Sequence, residues 1–104
     1  HFPALESHPD YELGQKQLAG YSGLMSLELA KANYRQVEKV INKMKAFKIG
    51  VSWGSFESLV LSPNISSNEG QLLKEHISPG TIRLAVGLED VNVLIRDLEQ
   101  SLND

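Results

Sequence analysis

Two stretches of the chain alternate between hydrophobic and polar residues, and each alternation predicts a β-strand with one buried face. In residues 23–30 the apolar side is formed by Met25, Leu27 and Leu29. In residues 81–87 the apolar side is formed by Ile82, Leu84 and Val86, and the opposite side by Thr81, Arg83, Ala85 and Gly87. Arg83 is therefore expected on a strand face among small residues, with open space beside its guanidinium.

Two longer stretches carry the hydrophobic stripe of an amphipathic helix. The first follows Asn33, which can cap a helix with Gln36 completing a capping box, and its apolar residues are Val37, Val40, Ile41, Met44 and Phe47. The second follows Glu89 and Asp90, both expected to act as caps at the helix N-terminus, and its apolar residues are Val91, Leu94, Ile95, Leu98 and Leu102. A weaker pattern predicts a short helix over residues 11–19.

The remaining segments complete the predicted fold. Residues 48–52 and 58–62 predict two short strands on either side of a Trp-Gly-Ser turn. Residues 63–80 form a long polar connection, expected to be functional or mobile, with a possible short helix over residues 69–76. The resulting order, α-β-α-β-β-α-β-α, indicates an α/β fold of the α+β sandwich kind, with helices on one face of a small, mostly antiparallel sheet. The face that carries Arg83 is then left uncovered by helices.

Composition limits the functions to consider. With 104 residues, 41% hydrophobic and 22% charged, the chain is expected to form one globular domain. A net charge of −3 argues against nucleic-acid binding, and no apolar run is long enough to span a membrane. The absence of cysteine points to the cytoplasm, and His1, His8 and His76 lack metal-ligand spacing. Because the chain begins with His1, we expect a piece cut from a longer protein.

Arg83 is the residue with the clearest chemical potential. An arginine facing open space suits a carboxylate or phosphate ligand, because its planar fork binds such anions with two hydrogen bonds. The structural alternative is an ion pair with Glu57 or Glu89 that serves only to hold the fold together.

Two motifs carry a resemblance to a known family. Residues 52–59, Ser-Trp-Gly-Ser-Phe-Glu-Ser-Leu, and residues 81–90, Thr-Ile-Arg-Leu-Ala-Val-Gly-Leu-Glu-Asp, resemble the C-terminal signature of the Cys/Met metabolism family of pyridoxal-phosphate enzymes. The resemblance extends from Phe2-Pro3-Ala4-Leu5 to the last helix. It implies that residues 1–104 are the small C-terminal domain of a fold-type I trans-sulfuration enzyme, a lyase or transferase that acts on a sulfur amino acid such as cystathionine. It also implies a homotetramer whose large domain holds pyridoxal phosphate on a lysine.

The same resemblance assigns roles to individual residues. Arg83 would bind the α-carboxylate of the substrate, and Ser52 and Trp53 would lie beside the same anion. Glu57 and Ser58 would lie near the substrate's side chain and influence which leaving group is handled. From the residues alone, three plainer interpretations stay open: Ser52 as a turn cap, Trp53 as a core residue and Glu57 as a solvent-exposed carboxylate.

The resemblance also defines what the chain lacks. None of its lysines stands in the family's cofactor-lysine motif, and it has no glycine-rich phosphate loop. We therefore expect no catalytic residue within the chain, which should be inactive alone, with Leu24, Trp53 or Phe56 uncovered where the large domain would pack. Trp53 and the Phe2–Leu5 segment favour the cystathionine β-lyase branch, although Ser55 replaces a glycine of that branch's motif.

One rival interpretation belongs to a different class. An α/β sandwich of this length with an anion-binding arginine would suit a stand-alone amino-acid-binding regulatory domain of ferredoxin-like fold. Those domains usually bind their ligand at a glycine-rich loop between the first strand and the following helix. Residues 31–33, Lys-Ala-Asn, contain no glycine, which favours the enzyme domain.

Overall fold

The fold consists of four helices and one sheet, in a computed structural model that describes residues 1–103. In chain order the elements are α1 Tyr11–Gln17, β1 Leu24–Glu28, α2 Tyr34–Lys43, β2 Lys48–Ile49, β3 Leu59–Leu61, α3 Glu69–Lys74, β4 Thr81–Ala85 and α4 Val91–Leu102. The order is the predicted one, and the α+β class is confirmed. In this part of the chain, no helix has the length and apolar character needed to cross a membrane.

The strands form a single sheet in the order β1-β4-β3-β2. The central strand β4 pairs antiparallel with β1 and with β3, and the register places Ser26 and Leu61 opposite Arg83. β2 and β3 pair in parallel, so the sheet is mostly antiparallel, as predicted. Because parallel neighbours cannot be joined by a tight hairpin, residues 50–58 must cross from one end of the sheet to the other. We call residues 50–58 the crossover loop.

Helices α2 and α4 cover one face of the sheet and form the core with it. The buried cluster consists of Val37, Met44, Phe47, Val60, Ile82, Leu84 and Leu94. Val86 was expected to share this face, but that prediction is wrong: β4 ends at Ala85, and Val86 is exposed. The helices therefore leave the opposite face, with Arg83, to the crossover loop.

The ends of α2 are set by two different devices. At its start, the Asn33 side chain accepts from the Gln36 N–H at 3.2 Å and the Gln36 side chain accepts from the Asn33 N–H at 2.7 Å, which confirms the capping box. At its end, the helix terminates at Lys43, before the apolar stripe does, and Met44 is extended. Met44 and Phe47 are still buried, but the segment after α2 delivers them to the core.

A buried carboxylate on α4 explains why the helix stops there. Asp97 accepts hydrogen bonds from the backbone N–H groups of Lys45 and Ala46, both at 2.8 Å, and of Phe47 at 3.2 Å. Burial by itself raises the pKa of Asp97, but these bonds and one from Gln100 outweigh it, so the pKa lies below its usual value. Asp97 thus stays charged and ties the segment after α2 to α4.

Of the two capping predictions for α4, one is confirmed and one is wrong. Asp90 caps α4 as predicted, accepting from the N–H groups of Asn92 and Val93. Glu89 does not cap: its carboxylate binds Ser58 instead, so that expectation is wrong. The 63–80 connection is held by Asn64, which is buried and donates to Glu69 at 3.0 Å and to the Pro79 carbonyl at 2.9 Å.

We predict that Asp97→Asn lowers the free energy of unfolding by about 1–3 kcal/mol at neutral pH, the usual cost of disrupting a buried hydrogen-bonded charge. Folding lowers the pKa of Asp97, so its contribution is complete above the usual value of 3.8. That contribution is lost as the pH falls through the folded value. Denaturant unfolding should therefore show a difference in the free energy of unfolding between the wild type and Asp97→Asn that shrinks below pH 3.8.

The exposed Glu99 of the same helix supplies the control. Glu99→Gln should alter the free energy of unfolding by no more than about 0.5 kcal/mol. A stability gap for Asp97→Asn that is absent at neutral pH, or that grows on acidification, would contradict the role of Asp97.

Candidate functional site

The site is built where the crossover loop meets β4. β2 was predicted to run from Lys48 to Ser52, but it ends at Ile49. The carbonyls of Val51 and Ser52 accept hydrogen bonds from the side chain of Arg83 instead of from a neighbouring strand. The arginine therefore draws the chain out of the sheet ladder and across the face that the helices leave open.

Arg83 uses one nitrogen for this purpose. Nη2 donates to the carbonyl of Val51 at 3.0 Å and of Ser52 at 3.1 Å, and lies 3.5 Å from that of Gly50. The guanidinium carbon also lies 5.7 Å from the centroid of the Trp53 ring, within the range of a cation–π interaction. The structure thus brings together Arg83, Ser52 and Trp53, which the sequence analysis grouped as one site.

The rest of the guanidinium has no protein partner in residues 1–103. Its Nε is buried without a hydrogen bond, and Nη1 makes none either among the contacts of these residues. In the same residues no carboxylate forms an ion pair with Arg83, so the structural alternative of a bridge to Glu57 or Glu89 is wrong. A buried donor left unpaired costs about 1–3 kcal/mol, whereas Nη1, which is not buried, is the donor open to a ligand.

Space for such a ligand exists beside Arg83. A cavity of about 400 Å³ opens on this side of the sheet, within the usual range for small-molecule sites. Its lining includes Arg83, Ser26, Glu28, Leu61, His76 and Thr81. The wall carries the Glu28 carboxylate as well as Arg83, and it includes neither Ser52 nor Trp53.

The loop residues around the arginine are exposed. Trp53 is 62% exposed and Phe56 70%, so the core alternative for Trp53 is wrong, and Leu24 is exposed as expected. Gly54 has a φ of +75°, which favours glycine at the turn. Ser55 is not among the residues with positive φ, so its replacement of a glycine strains nothing. The Glu57 carboxylate is exposed and only its backbone N–H is bonded, to the Ser55 hydroxyl.

Ser58 is at the centre of a network that the sequence did not reveal. Its side chain is fully buried. Its N–H donates to Glu89 at 2.9 Å and its hydroxyl donates to the same carboxylate at 2.8 Å, while the hydroxyl oxygen accepts from the Gly87 N–H at 2.9 Å. The backbone and hydroxyl bonds from Ser58 hold the pKa of Glu89 below its usual value. Ser58 therefore faces the protein interior, with its donor and acceptor both occupied.

Gly87 is required for this network to form. A side chain at this position would collide with the Phe56 carbonyl oxygen and come within 2.6 Å of the Glu57 carbonyl carbon. The neighbouring Leu88 N–H donates to the Phe56 carbonyl at 2.9 Å. The end of the crossover loop and the segment after β4 thus lie in direct backbone contact.

Comparison with known proteins shows the family of the chain. The model of the Cys/Met metabolism PLP-dependent enzyme family matches residues 1–103. The chain belongs to this family.

Several curated members of the family are similar to the chain over almost its whole length. It is 35% identical to L-methionine gamma-lyase of Fusobacterium nucleatum, with 98% of the chain and 27% of the relative covered. Cystathionine beta-lyase of Coxiella burnetii is 34% identical, with 98% and 27% covered. Human cystathionine gamma-lyase is 36% identical, with 97% and 26% covered. The chain therefore spans about a quarter of the length of the Cys/Met metabolism enzymes it matches.

The lysines of the described residues lie away from the cavity beside Arg83. None of the chain's lysines lines the cavity beside Arg83. The amines of Lys43 and Lys48 donate to backbone carbonyls of Asn103 and Lys45. Within residues 1–103, no three His, Cys, Asp or Glu side chains are grouped to hold a metal.

We predict that Gly87→Ala destabilises the protein by about 1–3 kcal/mol, the typical cost of overpacking, because the new methyl group forces residues 56–58 away from the segment after β4. Denaturant unfolding measures the change. The matched control is Gly70→Ala in α3, where an added methyl group meets no atom within 4 Å and better helix propensity should stabilise by up to about 1 kcal/mol. Equal effects of the two substitutions would contradict the close contact at Gly87.

Proposed function

We propose that the chain is the C-terminal, substrate-carboxylate-binding domain of a pyridoxal-phosphate-dependent trans-sulfuration enzyme. The full-length protein would cleave or exchange a carbon–sulfur or carbon–oxygen bond at the β- or γ-carbon of a sulfur amino acid or a homoserine ester. The observation that carries this proposal is the Arg83 guanidinium, which pairs with no carboxylate in residues 1–103 and lines a cavity, in a member of the Cys/Met metabolism family.

Arg83 supplies charge and orientation to the substrate. Hydrogen bonds to charged partners contribute about 1.5–3 kcal/mol each, and a two-point contact with a planar carboxylate also sets its direction. The Ser52 hydroxyl is free to add a donor, since no bond to it occurs in residues 1–103. The Trp53 ring shields one side of the guanidinium from water, which strengthens the pairing.

The cofactor would supply the chemistry that the chain lacks. Bound pyridoxal phosphate stabilises negative charge at the substrate's α-carbon, and the protein's task is to present the correct bond to it. An amino acid held only through its amino group could still rotate. The contact with its carboxylate would therefore determine which bond is presented to the cofactor. Arg83, Ser52 and Trp53 would perform that orienting step.

Glu57 and Ser58 would act on specificity in different ways. The exposed Glu57 carboxylate lies on the crossover loop, from which it could face the leaving group of a bound substrate. Ser58 is buried and bonded to Glu89, so it would act by shaping the loop rather than by touching the substrate. The cystathionine β-lyase branch remains our expectation, with methionine and cystathionine γ-lyases as the alternatives among the relatives.

The exposed apolar side chains suit a larger assembly. We infer that a large domain of the same polypeptide, in the cytoplasm, covers Leu24, Trp53 and Phe56, brings the cofactor lysine to Arg83 and assembles into a homotetramer. The chain alone would be inactive because it has no lysine at the site. Family membership over residues 1–103 favours this proposal over the stand-alone regulatory domain of ferredoxin-like fold.

The first test is spectroscopic. We expect the purified full-length protein to show the visible absorbance of bound pyridoxal phosphate, and the band to shift on addition of L-cystathionine or L-methionine. Release of pyruvate would identify β-elimination, and release of 2-oxobutyrate γ-elimination. A colourless protein that still binds an amino acid would favour the regulatory-domain alternative.

The second test isolates the carboxylate contact. L-methionine and L-methioninol differ at the carboxylate, which is replaced by a neutral alcohol. In the full-length protein, Arg83→Met should weaken L-methionine binding by at least about tenfold, since each tenfold step is about 1.4 kcal/mol and charged hydrogen bonds are lost. L-methioninol binding and the cofactor absorbance should not change.

Arg96→Met, at an exposed position of α4, is the control and should leave both affinities unchanged. Equal weakening of both ligands by Arg83→Met, or of neither, would contradict a carboxylate role for Arg83.

A further inference from the structure

We propose that Glu89 is a positioning residue for the carboxylate site, holding the far end of the crossover loop through Ser58 while Arg83 holds the near end. The proposal rests on the proposed function of Arg83. Glu89 touches no part of the anion site; its carboxylate is occupied by the N–H and hydroxyl of Ser58.

The crossover loop depends on its two ends because little else holds it. Val51 is 74% exposed, and Trp53 and Phe56 are also exposed, so burial of apolar surface contributes little to its position. Within the loop, the bond between the Glu57 N–H and the Ser55 hydroxyl is local. An ordered loop with so few buried contacts needs hydrogen bonds at its ends to offset its conformational entropy.

The near anchor consists of the bonds from Arg83 to the carbonyls of Val51 and Ser52, and the far anchor of the bonds between Ser58 and Glu89. Only the near anchor uses Arg83. The near anchor uses the Nη2 donors of the same guanidinium that a substrate carboxylate would engage. The far anchor, Glu89 with Ser58 and the Gly87 N–H, uses no group of Arg83.

The far anchor also belongs to the segment that carries the arginine. Glu89 follows β4 by a short turn in which Leu88 binds the Phe56 carbonyl. One continuous stretch, residues 83–89, thus grips the loop at both ends and fixes the distance between Ser52 and the guanidinium. Pre-forming this geometry removes an ordering cost from substrate binding.

The test compares ligands with and without a carboxylate in the full-length protein. Glu89→Gln keeps the side-chain shape, but its amide nitrogen cannot accept, so at least one Ser58 bond is lost. We expect the apparent dissociation constant of L-methionine to rise by about tenfold, the equivalent of one charge-assisted hydrogen bond. That of L-methioninol should stay within about twofold, because this ligand does not use the Arg83 contact.

Two further variants separate positioning from general damage. Glu99→Gln makes the same chemical change at an exposed site on α4 and should alter neither constant. Glu89→Asp retains the carboxylate and should recover part of the L-methionine affinity.

If Glu89→Gln does not fold, Ser58→Ala replaces it, since it removes the hydroxyl but keeps the backbone N–H bond to Glu89. The expected loss of L-methionine affinity is then smaller, but it should still exceed any loss of L-methioninol affinity.

The outcomes distinguish this proposal from the one on which it rests. If Arg83→Met selectively weakens L-methionine while Glu89→Gln, or Ser58→Ala in its place, weakens both ligands equally or neither, the positioning role is overturned and the carboxylate site stands. If Arg83→Met itself shows no selectivity, the proposed function fails first. A selective loss of L-methionine affinity in both Arg83→Met and Glu89→Gln, with partial recovery in Glu89→Asp, supports the positioning role.

Discussion

The contact between the Arg83 side chain and the carbonyls of Val51 and Ser52 determines the shape of the open face of the sheet. It begins on the central strand β4 and occupies the carbonyls of Val51 and Ser52, just beyond the Gly50 N–H that still bonds Val60 of β3. Without it, the parallel pairing of β2 with β3 would still require a crossover, but only the far end of that crossover would be held, through Ser58 and Glu89. A single arginine therefore organises both the loop and the site that the loop borders.

No carboxylate of residues 1–103 forms an ion pair with Arg83, so its charge is not neutralised within this part of the chain. Asp97 and Glu89 are the carboxylates with lowered pKa values, and each is satisfied by backbone N–H groups and uncharged side chains rather than by a cation. Asp97 ties α4 to the segment after α2, and Glu89 anchors the crossover loop. Because neither acid pairs with Arg83 in residues 1–103, the guanidinium keeps unpartnered donors beside a cavity. Arg83 thus holds the crossover loop through Nη2 and still has donors without a protein partner in residues 1–103.

Local sequence signals predicted most of the fold. The capping box at Asn33, the Asp90 cap and the alternation around Arg83 are short-range patterns, and they located the helices, the central strand and the central site residue. The failures are long-range. The early end of α2 depends on Asp97, some 50 residues away, and the role of Glu89 depends on Ser58, 31 residues away. The adjacent Asp90 made Glu89 resemble a cap, and no local pattern records a hydrogen bond formed only when distant segments meet.

The most direct measurement is a crystal structure of the full-length protein with L-methionine bound. The account predicts that the ligand carboxylate lies within hydrogen-bond distance of the Arg83 guanidinium. It also predicts that the crossover loop is still joined to Glu89 through Ser58. A ligand whose carboxylate is bound elsewhere, with Nε still unpartnered and Nη2 still on the carbonyls of Val51 and Ser52, would contradict the central claim.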